Sequence, residues 1–187
     1  MSDAHPTPTI STVGERGFFT ARRVARIAIF IALSAVGALI KIPSPTGTVA
    51  LDSAPAFLAA AAFSSPEGAI VGALGHLLTA ATTGFPLSLP VHLLVMAEMA
   101  LFVWIFGVLS SRVNVWVAAV VAVLCNGVVG AALMIPIGGV GMFTVLVAPL
   151  LVGATINVAV AIAAAAALGA GGLTDRTPLR RKGQPRS

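Results

Sequence analysis

Charge is what this chain has least of. Asp, Glu, Lys and Arg together make up 9% of it, against about a quarter in an ordinary soluble domain. Between Arg112 and Asp175 there is no charged residue, a stretch long enough for at least two spans of roughly 20 residues each. With 58% apolar residues and a mean hydropathy of +1.02, a soluble core is excluded and an integral membrane protein is implied. Cysteine is nearly absent as well: Cys125 is alone, so no intramolecular disulfide exists and a buried structural thiol is expected. There is no Gly-x4-Gly-Lys-[Ser/Thr] loop, which excludes nucleotide hydrolysis by that route, and no His-Glu-x-x-His pair for zinc. His76, His92 and Glu98 do not have ligand spacing, so no metal, cofactor or catalytic group is expected. No internal repeat is present.

The charge that remains is placed with a bias. The net charge is +5, yet Arg16, Arg22, Arg23 and Arg26 flank the first apolar segment, while Arg176, Arg180, Arg181, Lys182 and Arg186 follow the last. Basic residues at span ends are topology signals and lipid contacts, not a nucleic-acid footprint. The Arg-rich start followed by Ile27 to Ile40 has the outline of a signal peptide. Without a cleavage site, and with further apolar segments behind it, it is expected to be retained.

The apolar pattern predicts an all-α membrane domain of six transmembrane helices over residues 21–170, between a disordered tail at 1–20 and a basic tail at 171–187. The helices are expected at 21–40, 50–63, 67–83, 91–109, 115–136 and 143–168. The second is too short to cross roughly 30 Å of hydrocarbon and carries Pro55, so it is either a short helix packed inside protein or a re-entrant piece. Residues 41–55, 84–90 and the Gly-rich 137–142 are the connections on one side. With both termini cytoplasmic, every Lys and Arg except Lys41 falls inside, which puts those three connections outside.

Ionisable groups in spans are costly, and here they are Asp52, His76, His92 and Glu98, joined by the amides Asn126 and Asn157. Each has a plain structural reading beside a ligand-binding one. Asp52 would cap a helix or pair with Lys41, and the histidines, Glu98 and the two amides would bond between helices. Gly68, Gly72 and His76 recur every four residues, with Thr79 and Thr83 continuing that face as a close-packing strip. Phe85 is placed to cover a ligand, and Trp104 and Trp116 read as interfacial anchors.

Helix 1 with its Ala28-x-x-x-Ala32 spacing, the loop Ile42-Pro-Ser-Pro-Thr-Gly-Thr-Val-Ala-Leu-Asp-Ser-Ala-Pro55, and Glu67-Gly-Ala-Ile-Val-Gly-Ala-Leu-Gly-His76 followed by Gly84-Phe-Pro-Leu-Ser-Leu-Pro-Val-His92 together resemble the substrate-capture components of energy-coupling factor (ECF) vitamin transporters. The likeness covers about residues 21–170, and within the family it is most similar to the subgroup for the cobalamin precursors α-ribazole or dimethylbenzimidazole. The resemblance implies a vitamin pocket near the outer face of a prokaryotic cell membrane, no enzymatic activity, and partners in a transmembrane scaffold subunit and two ATPases. It makes Lys41, Thr46, Asp52, His76, Phe85, His92, Met96 and Asn126 the candidate binding residues, and Ala28 and Ala32 the docking face. A flat apolar ring would suit Phe57, Phe85 or Met96, and ribose hydroxyls would suit Asp52, His92 and Asn126. Two other classes stay open on the residues alone: an intramembrane enzyme using His76, His92 and Glu98, and a structural membrane partner without a ligand.

Overall fold

Six helices and one short hairpin make up the computed structural model, which describes residues 19–44 and 47–175. The expected tails fall almost wholly outside the described residues, as does Thr46. Helix α1 covers Ala21–Gly37, with Thr20 Oγ1 accepting from the Arg23 amide at 3.4 Å, an N-cap that supplies one of the partners a helix start lacks. It stops three residues before the expected end because the chain enters a hairpin. Strands β1 (Lys41–Ser44) and β2 (Gly47–Ala50) pair antiparallel, with Lys41 opposite Ala50 and Ser44 opposite Gly47. Apart from this hairpin every element among the described residues is helical, as the all-α expectation has it. Pro43 is tolerated because a two-stranded ribbon consists of edges, where a missing donor costs little.

Helix α2 is Ala54–Ala62, shorter than expected because β2 takes residues up to Ala50. Pro55 lies in its first turn and so initiates the helix instead of interrupting it. Nine residues rise about 14 Å, half the hydrocarbon thickness, and Ala56, Phe57 and Ala59 to Ala62 are all buried. The second segment is therefore a short helix packed inside protein. Phe57 meets Phe106 edge to face at 5.2 Å between centroids, a favourable geometry for a ring pair.

Helix α3 is Ser65–Thr82, started by Ser64, whose Oγ accepts from the Glu67 amide at 3.3 Å. Its Gly68 lies so close to Ala60 of α2 that any Cβ there would collide with it, which is how the Gly strip brings the two helices together. Helix α4 is Leu89–Arg112 and runs past its expected end, since the hydroxyls of Ser110 and Ser111 fold back onto the Gly107 carbonyl at 3.1 and 2.9 Å. Helix α5 covers Val115–Ala132, with Asn114 Oδ1 capping Val117 N at 2.8 Å, and contains a π-helical turn at Cys125–Val129. Cys125 opens that turn and is half-buried instead of buried. Helix α6 spans Ile135–Ala170 and consists of two helical pieces joined at a kink inside the expected Gly-rich connection. Only Gly139 breaks it, at φ 72°, ψ −176°, a conformation open to a residue without Cβ.

Helices α4, α5 and α6 are each long and apolar enough to cross a membrane. Large apolar side chains face outward along the bundle, among them Ile29, Leu33, Trp104, Trp116 and Val120, as lipid contact requires. At one end of the bundle α1, α3 and the segment that follows α6 are tied by charge. Arg26 donates to both carboxyl oxygens of Glu67 at 2.7 Å and to Asp175 at 2.8 Å, and its guanidinium sits 3.9 Å over the Phe63 ring. Ser64 Oγ donates to Glu67 at 3.0 Å, and Arg23 lies 3.3 Å from the same carboxylate. Glu67 is 1% exposed, so this bidentate, fully partnered pair is a structural clasp.

Candidate functional site

The other end of the bundle is hollow. A cavity of about 950 Å³ extends between α3, α4, α5 and α6 and the segment that joins β2 to α2. Thr83, Pro86 and Leu87 after α3, and Gly141 and Met142 beyond the Gly139 break, border it, so it lies toward the end opposite the Arg26 clasp. Two helix irregularities wall it. Asn126 and Gly130 come from the π turn and its exit, while Pro149 and Gly153 come from the interior of α6. A π turn is frequent at functional sites because the extra residue per turn shifts side chains that an unbroken helix would place elsewhere.

Of the residues expected to bind, Asp52, His76, His92 and Asn126 border this cavity together. Phe85 and Met96 are not among its lining. Phe85 instead stands edge-on behind His92, with centroids 5.8 Å apart, in a loop where Phe85 (φ 50°) and Ser88 (φ 81°) both adopt left-handed backbone. Such strain persists only where the surroundings hold it. Phe57 is fully enclosed in the core. The side chains of Lys41 and Thr46 fall outside what the structure describes, and with them the Lys41–Asp52 pairing. Ala28 and Ala32 are exposed on α1.

The polar groups of the cavity divide by what they bond. Asn157 is spoken for: its Oδ1 accepts from Ala54 N at 2.7 Å, and its Nδ2 donates to the carbonyls of Ala50 and Gly153 at 3.0 and 2.9 Å. It caps α2 and fixes the hairpin to α6, the packing role open to it from the sequence. Asn126 donates only a weak bond, to Met99 Sδ at 3.4 Å. His76 Nε2 and His92 Nδ1 lie 3.2 Å apart, which leaves His92 Nε2 buried and without a partner among the described residues. Glu98, 7% exposed, has the same deficit at Oε1. Asp52 sits in the turn ahead of α2, where burial raises its carboxyl from 3.8 to about 6, against hydrogen bonds from Thr79 and from nearby backbone amides that pull it down. The sequence sets Glu98 among the polar groups able to line one outward-facing pocket but not among the expected binding residues, and Met99, Phe102 and Met142 are not marked in it at all. The signal for Glu98 was its isolation, with no other charge between Glu67 and Arg112.

A large cavity with mostly apolar walls, a few convergent polar groups and a lipid-facing exterior defines a membrane-embedded binder of small molecules. The family of ECF transporter substrate-specific components matches residues 22–169, and the chain belongs to it. Members of that family are membrane-bound, substrate-binding transporter subunits and not enzymes. Membership implies a small-molecule substrate and a scaffold and ATPase module. No curated protein and no solved structure matches the chain.

Proposed function

We propose that this subunit captures a vitamin or vitamin precursor, α-ribazole or a related benzimidazole, from the outer side of a prokaryotic plasma membrane. Residues 21–170 form the membrane domain, with both termini cytoplasmic, the Arg26 clasp inside and the hairpin end outside. The observation that carries the reading is the cavity of about 950 Å³, within the range of small-molecule sites, bordered by Asp52, His92 and Asn126 for hydroxyls and by Met99 and Phe102 for a flat ring. The hairpin at residues 41–50 and the strained loop at 83–88 act as the cover. Ala28 and Ala32, exposed and small, receive the scaffold subunit, and two ATPases supply the energy this chain has no motif to harvest. Purified protein titrated with α-ribazole, dimethylbenzimidazole and cobalamin tests the substrate. One of the first two should bind below micromolar concentration, about −8 kcal/mol. Binding of none of the three at that level overturns the choice of substrate.

A further inference from the structure

How the cavity reads its ligand follows from Glu98, and this step rests on the capture function just proposed. Glu98 is more than nine-tenths buried, and its Oε1 has no partner among the described residues. A buried carboxyl oxygen without a hydrogen bond is costly, and no Arg or Lys is found among the residues bordering the cavity to relieve it. A Cβ added to Gly130 would lie 3.6 Å from Glu98 Oε2 and 4.0 Å from Phe102 Cε2, so Gly130 leaves a methyl-sized space beside the carboxyl group, and Gly130, Glu98 and Phe102 all border the cavity. His92, six residues earlier on α4, stands about 9 Å nearer the loops at 1.5 Å per residue.

We propose that Glu98 is the specificity residue of this site and recognises a basic ring nitrogen of a flat heteroaromatic ligand. One proton lies between the carboxyl group and the ring nitrogen, whichever of the two brought it. An azole ring held in the cavity beside Phe102 satisfies Oε1, and its polar substituent then lies toward His92 Nε2 and Asp52. Ligands that present a carboxylate or phosphate to the deep end are rejected, because they would meet Glu98 with no cation to offset it.

The test compares α-ribazole with the analogue in which the free ring nitrogen is replaced by CH, by calorimetric titration of detergent-purified full-length protein. A hydrogen bond to a charged group corresponds to about 10- to 100-fold in affinity. Wild type should therefore favour the ring-nitrogen compound by at least about 10-fold. Glu98→Leu should reduce that ratio to within about twofold with no fall in melting temperature, since no protein partner is lost. His92→Ala should weaken both compounds and keep the ratio. Gly130→Ala, whose new methyl meets only ordinary contacts, should fold and weaken both, and it carries the test with Glu98→Gln if the leucine variant does not fold. A ratio unchanged in Glu98→Leu, or equal binding of both compounds by wild type, overturns the inference. Wild type that binds neither compound overturns the benzimidazole reading instead.

Discussion

Glu67 and Glu98 are both buried acidic residues in a nearly uncharged chain, Glu67 at the clasped end of the bundle and Glu98 near the middle of α4, at the deep end of the cavity. Glu67 has Arg26 on both oxygens, Arg23 beside it and Ser64 as a further donor. Glu98 has one oxygen with nothing to bond among the described residues. A group whose partners are all supplied by its own chain has its role inside the fold. A group left short in a cavity is available to something that arrives. The difference teaches that burial of an ionisable residue in a membrane domain does not by itself mark function; the state of its hydrogen bonding does.

The largest expected effect is on stability at the clasp. Glu67→Ala leaves the partly buried Arg26 with only the exposed Asp175 as partner and should lower stability by about 3 kcal/mol, read as loss of melting temperature in detergent. Glu98→Leu in the same assay should show no loss, and equal destabilisation by the two would break the comparison. Asn157→Ala comes next. It also borders the cavity but is fully bonded, so removing it should cost about 1 to 3 kcal/mol by stranding Ala54 N, which would separate cavity residues that build the wall from those that read the ligand.

A smaller effect follows from Asp52. Burial raises its carboxyl to about 6, so the group is neutral below that pH and an anion above it. The anion is the better acceptor for ligand hydroxyls, and affinity should weaken as pH falls from 7.5 through 6. His76, His92 and Glu98 also border the cavity, so the part of the slope belonging to Asp52 is the part that Asp52→Asn removes; an unchanged profile in that variant would take Asp52 out of the site. For folding the sign is opposite. The raised value means the charged form is disfavoured in the native state, so this group's contribution is fully present below about 4 and declines as pH rises through about 6. The smallest effect on the molecule itself is at the exposed face of α1. Ala28→Trp with Ala32→Trp should leave stability within about 0.5 kcal/mol and ligand affinity unchanged, while scaffold and ATPase subunits no longer co-purify. Retained co-purification would move the docking face elsewhere.

Much of this was legible before any coordinates. Apolar runs and prolines gave the number of helices and the positions of most turns, because membrane spans announce themselves by composition and Pro66, Pro90 and Asn114 start helices by local chemistry. What was not legible depends on distant partners. Arg26 and Glu67 are 41 residues apart, and Asn157 bonds Ala50 across 107. The π turn at Cys125–Val129 is not marked by its lone Gly127, a residue common in membrane helices, since it answers to the close approach of Leu151 at Gly127, a packing event. Pro43 and Pro45 hid the hairpin, as they read equally well as loop. In the site, four of the six expected residues whose side chains the structure describes border the cavity. Glu98 stands out in the sequence by its isolation, but the partner it lacks does not, because a sequence does not record an empty neighbourhood.

In the proposed function the cavity between α3 and α6 holds the captured vitamin precursor. Val145 borders it and is 46% exposed, so Val145→Trp should narrow the cavity without disturbing the core. Calorimetric titration of α-ribazole into wild type and this variant is the direct measurement. Sub-micromolar binding by wild type and no detectable heat from the variant are expected, with equal melting temperatures in the absence of ligand. Equal affinity in the two proteins would contradict the assignment of the cavity as the binding site.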